Sequence, residues 1–466
     1  MAPAKIIDTV LSSSASFSNL TSNGNGVSKS VETSSGTAAA ECAVGTKTCL
    51  EYDEQYVTRG IPPLPVVLSK AEGARLWDPE GKEYIDFLAG FSVVNQGHCH
   101  PRITRAMIDQ CQKITLAGRA YHNDQYPVLC KKVCDMFGYD MASSMNSGSE
   151  AIDLAIKIAR KWGYTVKGIK PNEALVLTCT GNYHGKTLSP LSASDDPDIR
   201  NGYGPFMPGV GPFCASRPVR FNHIEDLEAV MEADGPRLAA FLVECVQGYA
   251  GCKVATDGYI KAARDLCQKH NVLFIADEIQ CGLGRTGHLM AYEREGIKPD
   301  MVVLGKALTG GFYPMGMVLG MRETMSQLLT GENSSTFAGS PLGSAVAMAA
   351  LDVLVDEKLA ERAARLGPLV WERLERIKSP ALLGFSGRGL FYAVYLDHSH
   401  PSGRVTARRL ALLLKQRGLL AYSAANRLRV APPLMIPEKD LWKGIDIIET
   451  ALNDLVDIED HIDGED

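Results

Sequence analysis

Three groups of residues have the types and spacing that chemistry requires. Gly305-Lys306 runs into Ala-Leu-Thr-Gly310-Gly311. A lysine amine becomes a nucleophile when its surroundings lower its pKa, and neighbouring glycines let the backbone turn tightly around it. A lone lysine is more often a solvated surface residue, so its company decides. Asp277-Glu278 ends the apolar run Val272–Ala276. A carboxylate there is a candidate partner for a cationic ring nitrogen, with a helix cap or a buried hydrogen-bonded acid as the plainer alternative. Ser147 and Glu150 frame Gly148 and Ser149 in an S-x-x-E capping pattern, and Ile152, Ala155, Ile156 and Ala159 follow at helical spacing. The free N–H groups of such a helix start suit an anion, although alone the stretch reads as an ordinary capped helix.

In combination the three say more than singly. An anion-binding helix start, an aspartate at one strand end and a lysine at the next are what pyridoxal phosphate needs for its phosphate, pyridinium and aldehyde. Competing motifs are weaker. Gly282-Leu-Gly-Arg-Thr-Gly287 spells a dinucleotide loop, but it does not follow its strand at once. Gly181-Asn-Tyr-His-Gly185-Lys186-Thr187 is one residue short of a P-loop. His98-Cys99-His100 alternates, so a strand would split it between two faces, and no second ligand cluster follows. No metal site is expected.

These residues need a frame that brings strand ends together. Ala174–Cys179, Phe241–Val243, Val272–Ala276, Met301–Leu304 and Met315–Leu319 read as buried strands, with helical stretches such as Tyr259–His270 between several of them. That alternation predicts an α/β fold with a mostly parallel sheet. Leu76-Trp77-Asp78 and Tyr84–Phe87 flank a turn and predict a hairpin. Beyond Ala345 the pattern turns helical, then mixed, with strand-like Leu390–Leu396 and Leu428–Val430 around helical Val405–Arg417. The expected division is a disordered tail over 1–45, an N-terminal segment of a smaller domain over 46–95, a large domain over 96–345 and the rest of the smaller domain over 346–466. The tail is rich in Ser, Thr, Ala, Gly and Asn and lacks arginine, so neither a packed core nor a basic transit peptide is expected there.

Composition narrows the partners. The 466 residues carry 48 Lys and Arg against 54 Asp and Glu, a net charge of −6, which argues against a nucleic-acid partner. No apolar run approaches the ~20 residues of a membrane span. Twelve scattered cysteines without a CxxC pair predict reduced thiols in a cytoplasmic setting.

Longer stretches resemble the class III, ornithine aminotransferase-like, pyridoxal phosphate aminotransferases. They are Val94–Pro101, Ala159–Ile169, Tyr203–Gly209, Ile275–Gln280, Leu304–Gly311 and Ala431–Leu434, and the resemblance covers nearly all of residues 52–455. It implies fold type I, with a large domain on a mostly parallel sheet, a smaller α+β domain, and a homodimer whose active sites lie at the subunit interface. It implies Lys306 as the Schiff-base lysine and Asp277 as partner of the pyridinium. Ser147, Gly148 and Ser149 would cradle the phosphate, Tyr183 would stack on the ring beside His184, and Gln280 would bond the ring hydroxyl. Ser335 and Thr336 would reach the phosphate of the neighbouring subunit, and Arg429 would receive a substrate carboxylate. The reaction implied moves an amino group from an amino acid to a keto acid such as 2-oxoglutarate.

The substrate side departs from that resemblance. The family's Q-G-E-A-G reads Gln247-Gly-Tyr249-Ala-Gly251, so the glutamate that masks Arg429 is absent. A substrate tyrosine becomes Ile61, another becomes Phe91, and an arginine becomes Lys186. Retained cofactor residues with a changed pocket predict a substrate other than ornithine. A racemase or epimerase acting at the α-carbon is the alternative on the same scaffold, and a catalytically idle partner-binding subunit is a second.

Overall fold

The computed structural model describes residues 44–464, except Arg59, Glu459, Asp460 and Asp463. The expected tail lies outside the described residues but for Val44 and Gly45. All five runs expected as strands enter one seven-stranded sheet. Its order is Met141–Met145, Gly316–Gly320, Met301–Leu304, Leu273–Asp277, Leu238–Glu244, Leu175–Thr178, Val210–Gly211. Gly316–Gly320 runs against both neighbours and the other strands are parallel. The sheet is buried on both faces, which is why its strands read as continuous apolar runs. Phe241, Phe274, Val302 and Leu304 enter the core on one face. Leu242, Ile275 and Val303 meet Ile152, Ala155 and Ile158 on the other.

Two strands of this sheet have no sequence signal. Met141–Met145 reads Met-Ala-Ser-Ser-Met and pairs because Gly316–Gly320 lies beside it. Val210–Gly211 has only two residues. In both, tertiary pairing overrides weak propensity.

Two four-stranded sheets and the pair Val246–Gln247 with Lys253–Val254 complete the frame. Leu382–Arg388, Phe391–Leu396, Arg427–Val430 and Tyr422–Ala424 form an antiparallel sheet. The predicted hairpin is present, since Arg75–Trp77 pairs with Glu83–Asp86, and Leu419–Leu420 runs parallel to the latter. Residues near the N-terminal end and residues past 400 thus share one sheet.

What matters for the site is one edge of the large sheet. Glu244 and Asp277 stand opposite each other in register, and Asp277 stands opposite Val303, three residues before Lys306. Only Asn146 and Ser147 separate the strand Met141–Met145 from the helix Gly148–Thr165. The carboxyl ends of four strands therefore deliver Ser147, Glu244, Asp277 and Lys306 to one place, the usual position for a ligand in an open α/β sheet.

Candidate active site

The helix start is built as its residues predict. Ser147 Oγ accepts from Glu150 N–H at 3.1 Å, and Glu150 Oε2 accepts from Asn146 N–H at 2.8 Å. The Ser147 cap and the bond from Asn146 to Glu150 fix the entry of the chain, and Ser147, Gly148 and Ser149 line a cavity of about 170 Å³. Gly185 closes over it with φ +127°, and a Cβ there would meet Ser149 Oγ at 2.0 Å. Only glycine fits that position.

Asp277 forms the floor. Its Oδ2 lies 2.7 Å from His184 Nδ1, and its Oδ1 accepts from Ile279 N–H at 3.0 Å. Burial opposes a charge on His184, but its hydrogen bond to Asp277 and the charges of Asp277 and Glu244 hold the imidazole pKa above its ordinary value. His184 Nε2 is buried without a hydrogen-bond partner among the described residues. Glu244, beside Asp277, accepts from Tyr183 N–H at 3.0 Å. Burial pushes its carboxyl up to about 7, against His184.

Lys306 lines this inner cavity and a second, outer one of about 390 Å³. Its backbone is left-handed, φ +44°, a strained conformation for a residue with a side chain. Burial lowers its pKa, Asp277 and Glu244 pull it back, and Arg429 adds to the lowering. The net direction favours the neutral amine.

A cofactor with a phosphate, a basic ring nitrogen and an aldehyde fits this donor set. The capped helix start suits the phosphate, Asp277 the ring nitrogen and Lys306 the aldehyde, and the unpartnered His184 Nε2 marks a polar wall. Tyr183 lines both cavities, with Tyr249 stacked on it at 4.8 Å and 23° between planes.

The other expected residues divide between the two cavities and the surface. Gln280 donates through Nε2 to Phe91 O at 3.1 Å, so it buttresses the 89–92 turn as well as lining both cavities. That turn is left-handed through Ala89, Gly90, Phe91 and Ser92, with φ from +51° to +67°, and Phe91 meets Tyr422 edge-on at 5.0 Å. Ile61, Lys186, Tyr249 and Arg429 all line the outer cavity. Arg429 donates to Gly248 O. Ser335 and Thr336 do not line the inner cavity of this chain. Ser335 bonds Asn146, and Thr336 is exposed. His98 and His100 turn to different carboxylates, Asp86 at 2.7 Å and Glu357 at 2.9 Å.

Two residues of the site were not among the sequence candidates. Glu244 ends a fully buried strand, a place where a carboxylate is unusual enough to notice. Arg427 stands two residues before Arg429, and the period of a strand puts both on one face.

Fold and site together define a pyridoxal phosphate-dependent enzyme of fold type I. Residues 56–452 match the profile of the family described as Aminotransferase class-III. An ornithine aminotransferase of Schizosaccharomyces pombe is 49% identical over 410 residues, 87% of this chain and 93% of that one. The ornithine aminotransferase of Toxoplasma gondii, solved with PLP in partial occupancy at its active site, superposes with a TM-score of 0.84 at 40% identity, over 88% of this chain and 95% of that one. An acetylornithine aminotransferase of Elizabethkingia anophelis gives 0.79 at 43%, over 88% and 99%. The chain belongs to the class III aminotransferases and is a pyridoxal phosphate-dependent transaminase.

Proposed function

We propose that this transaminase takes its amino group from an amino acid other than ornithine and passes it to a keto acid such as 2-oxoglutarate. One observation carries the reading. The outer cavity is lined by the cations Lys186, Arg427 and Arg429, beside Lys306, and by no aspartate or glutamate among the described residues. Ornithine brings two ammonium groups and one carboxylate, and a terminal ammonium entering this cavity meets like charge without a counter-ion. At position 249 a tyrosine stands where a carboxylate would neutralise Arg429. Burial, then its bond to Asp196, pushes that phenol up to about 12, so it stays uncharged. Arg429 is left open to an α-carboxylate in both halves of the reaction.

The chain's residues divide the work as follows. When bound, the cofactor supplies an aldehyde for the substrate amine and a ring that accepts the electron pair freed at the α-carbon. Ser147, Gly148 and Ser149 would hold its phosphate, and Tyr183 would cover its ring. Asp277, oriented by His184, holds a proton on the ring nitrogen. Lys306, buried and biased toward the neutral amine, would carry the proton between the substrate α-carbon and C4′ of the bound cofactor. Arg429 orients the α-carboxylate, and the stacked Tyr183 and Tyr249 exclude water from one wall.

The functional unit in this proposal is a homodimer, with Ser335 and Thr336 reaching the phosphate of the neighbouring subunit. Exposed Phe337, next to Thr336 in the chain, supports an interface there. No helix among the described residues is long and apolar enough to cross a membrane. A cytoplasmic location is part of the proposal, supported by cysteines that are free thiols among the described residues.

A second reading, that ornithine is the donor, is favoured by the names of the relatives. A panel of amine donors with 2-oxoglutarate, read as glutamate formed, separates the two. The expected result is low kcat/KM on ornithine against α-amino acids, and a shift of at least about tenfold toward ornithine in Tyr249→Glu. Ornithine as the best substrate of the unaltered enzyme overturns the proposal.

A further inference from the structure

We propose that Arg427 and Arg429 form a clamp for two carboxylates, so that the site takes dicarboxylic amino and keto acids. Arg429 receives the α-carboxylate and Arg427 the distal one. The assignment of Arg429 rests on the donor reading above.

Both arginines lie on the strand Arg427–Val430, whose alternate residues Leu428 and Val430 are buried, and both line the outer cavity. Residues two apart on a strand stand roughly 7 Å from each other and face the same way. That separation suits the two ends of a short dicarboxylate. Each guanidinium is pinned at one nitrogen to the loop beneath it. Arg427 Nη2 donates to Tyr249 O at 2.9 Å, and Arg429 donates to the preceding carbonyl, that of Gly248. A guanidinium has five N–H donors, so each keeps several for a ligand. Neither forms an ion pair among the described residues, and Lys186 adds a third cation to the same lining. Positive charge held this closely without a counter-ion is unfavourable, and a ligand carrying two carboxylates relieves it through charge-assisted hydrogen bonds. A substrate with a neutral side chain satisfies Arg429 and leaves Arg427 facing apolar atoms. An ordinary structural arginine, by contrast, does no more than tie the Tyr249 loop to the strand.

Calorimetric titration of the holoenzyme with glutarate and butyrate tests the clamp, because neither acid has an amino or keto group to react. The unaltered enzyme is expected to bind glutarate more tightly than butyrate. Arg427→Gln should lower the glutarate-to-butyrate affinity ratio about tenfold or more, Arg427→Lys should recover part of it, and Arg429→Gln should weaken both acids. An unchanged ratio in Arg427→Gln overturns the clamp. So does a parallel loss for both acids, the signature of a loop anchor. The donor panel reports separately. Ornithine as the preferred donor overturns the donor reading and with it the part of Arg429 toward the donor, while the glutarate-to-butyrate ratio alone decides the part of Arg427.

Discussion

At the scale of single residues, the proposed chemistry concentrates on Lys306. Its amine is depressed by burial and by Arg429 and supported by Asp277 and Glu244, so its proton affinity is set by four elements of the fold at once. Lys306→Ala is expected to lower glutamate formation by at least about 10²–10⁴-fold while the cofactor still binds without a covalent link. The check is turnover together with the absorbance of the bound cofactor after borohydride. Activity at the level of the unaltered enzyme would falsify the assignment. Lys306, Asp277 and the Ser147–Ser149 stretch were all legible in the sequence, because a strand end and a capping box are local signals. Arg427 was legible only as a spacing, two residues from Arg429, and nothing in that spacing says which face of the strand is wet. Tyr249 was visible as a departure, but its stacking on Tyr183 was not, since the two rings come from loops 66 residues apart in the chain.

Among the elements, the strand Leu273–Asp277 does two jobs through adjacent acids. Asp277 faces the site, and Glu278 ties the strand end to the start of the short helix Ala291–Glu295. Its two oxygens accept from Ala291 N–H at 2.8 Å and from Tyr292 N–H at 3.0 Å. Burial nevertheless raises this carboxyl to about 7 from an ordinary 4.5. With the folded value raised, its stabilising contribution is fully present below about 4.5 and is lost as pH rises through about 7. Glu278→Gln removes that titration. The melting temperature of the variant should therefore gain on that of the unaltered protein between pH 5 and pH 8, by an amount on the order of 2–3 kcal/mol or several degrees. A constant difference across that range would show that Glu278 is ionised throughout. The sequence marked Asp277-Glu278 as a pair without distinguishing their duties, because the direction of each side chain depends on how the chain leaves the sheet.

For the whole molecule, the proposed dimer makes the strongest demand. Phe337 is 53% exposed and directly follows Thr336, which is exposed and does not line the chain's own inner cavity. Phe337→Asp should shift the protein toward monomer in sedimentation at micromolar concentration and lower its activity in proportion, because each site would lose the phosphate contacts of its neighbour. Retention of full activity by a monomeric variant would remove the shared site. Periodicity alone determined that the chain is α/β, that its central strands are buried on both faces, and that a capped helix, an aspartate and a lysine sit at the ends of such elements. These are local properties of side-chain type and spacing. The tertiary structure decided which elements are neighbours: that Met141–Met145 is a strand at all, that Gly316–Gly320 runs against the rest, and that Glu244 stands beside Asp277. It also decided that Lys186, Arg427 and Arg429 share one cavity that no acid among the described residues lines. Those facts depend on contacts between residues far apart in the chain, whose energies no local pattern contains.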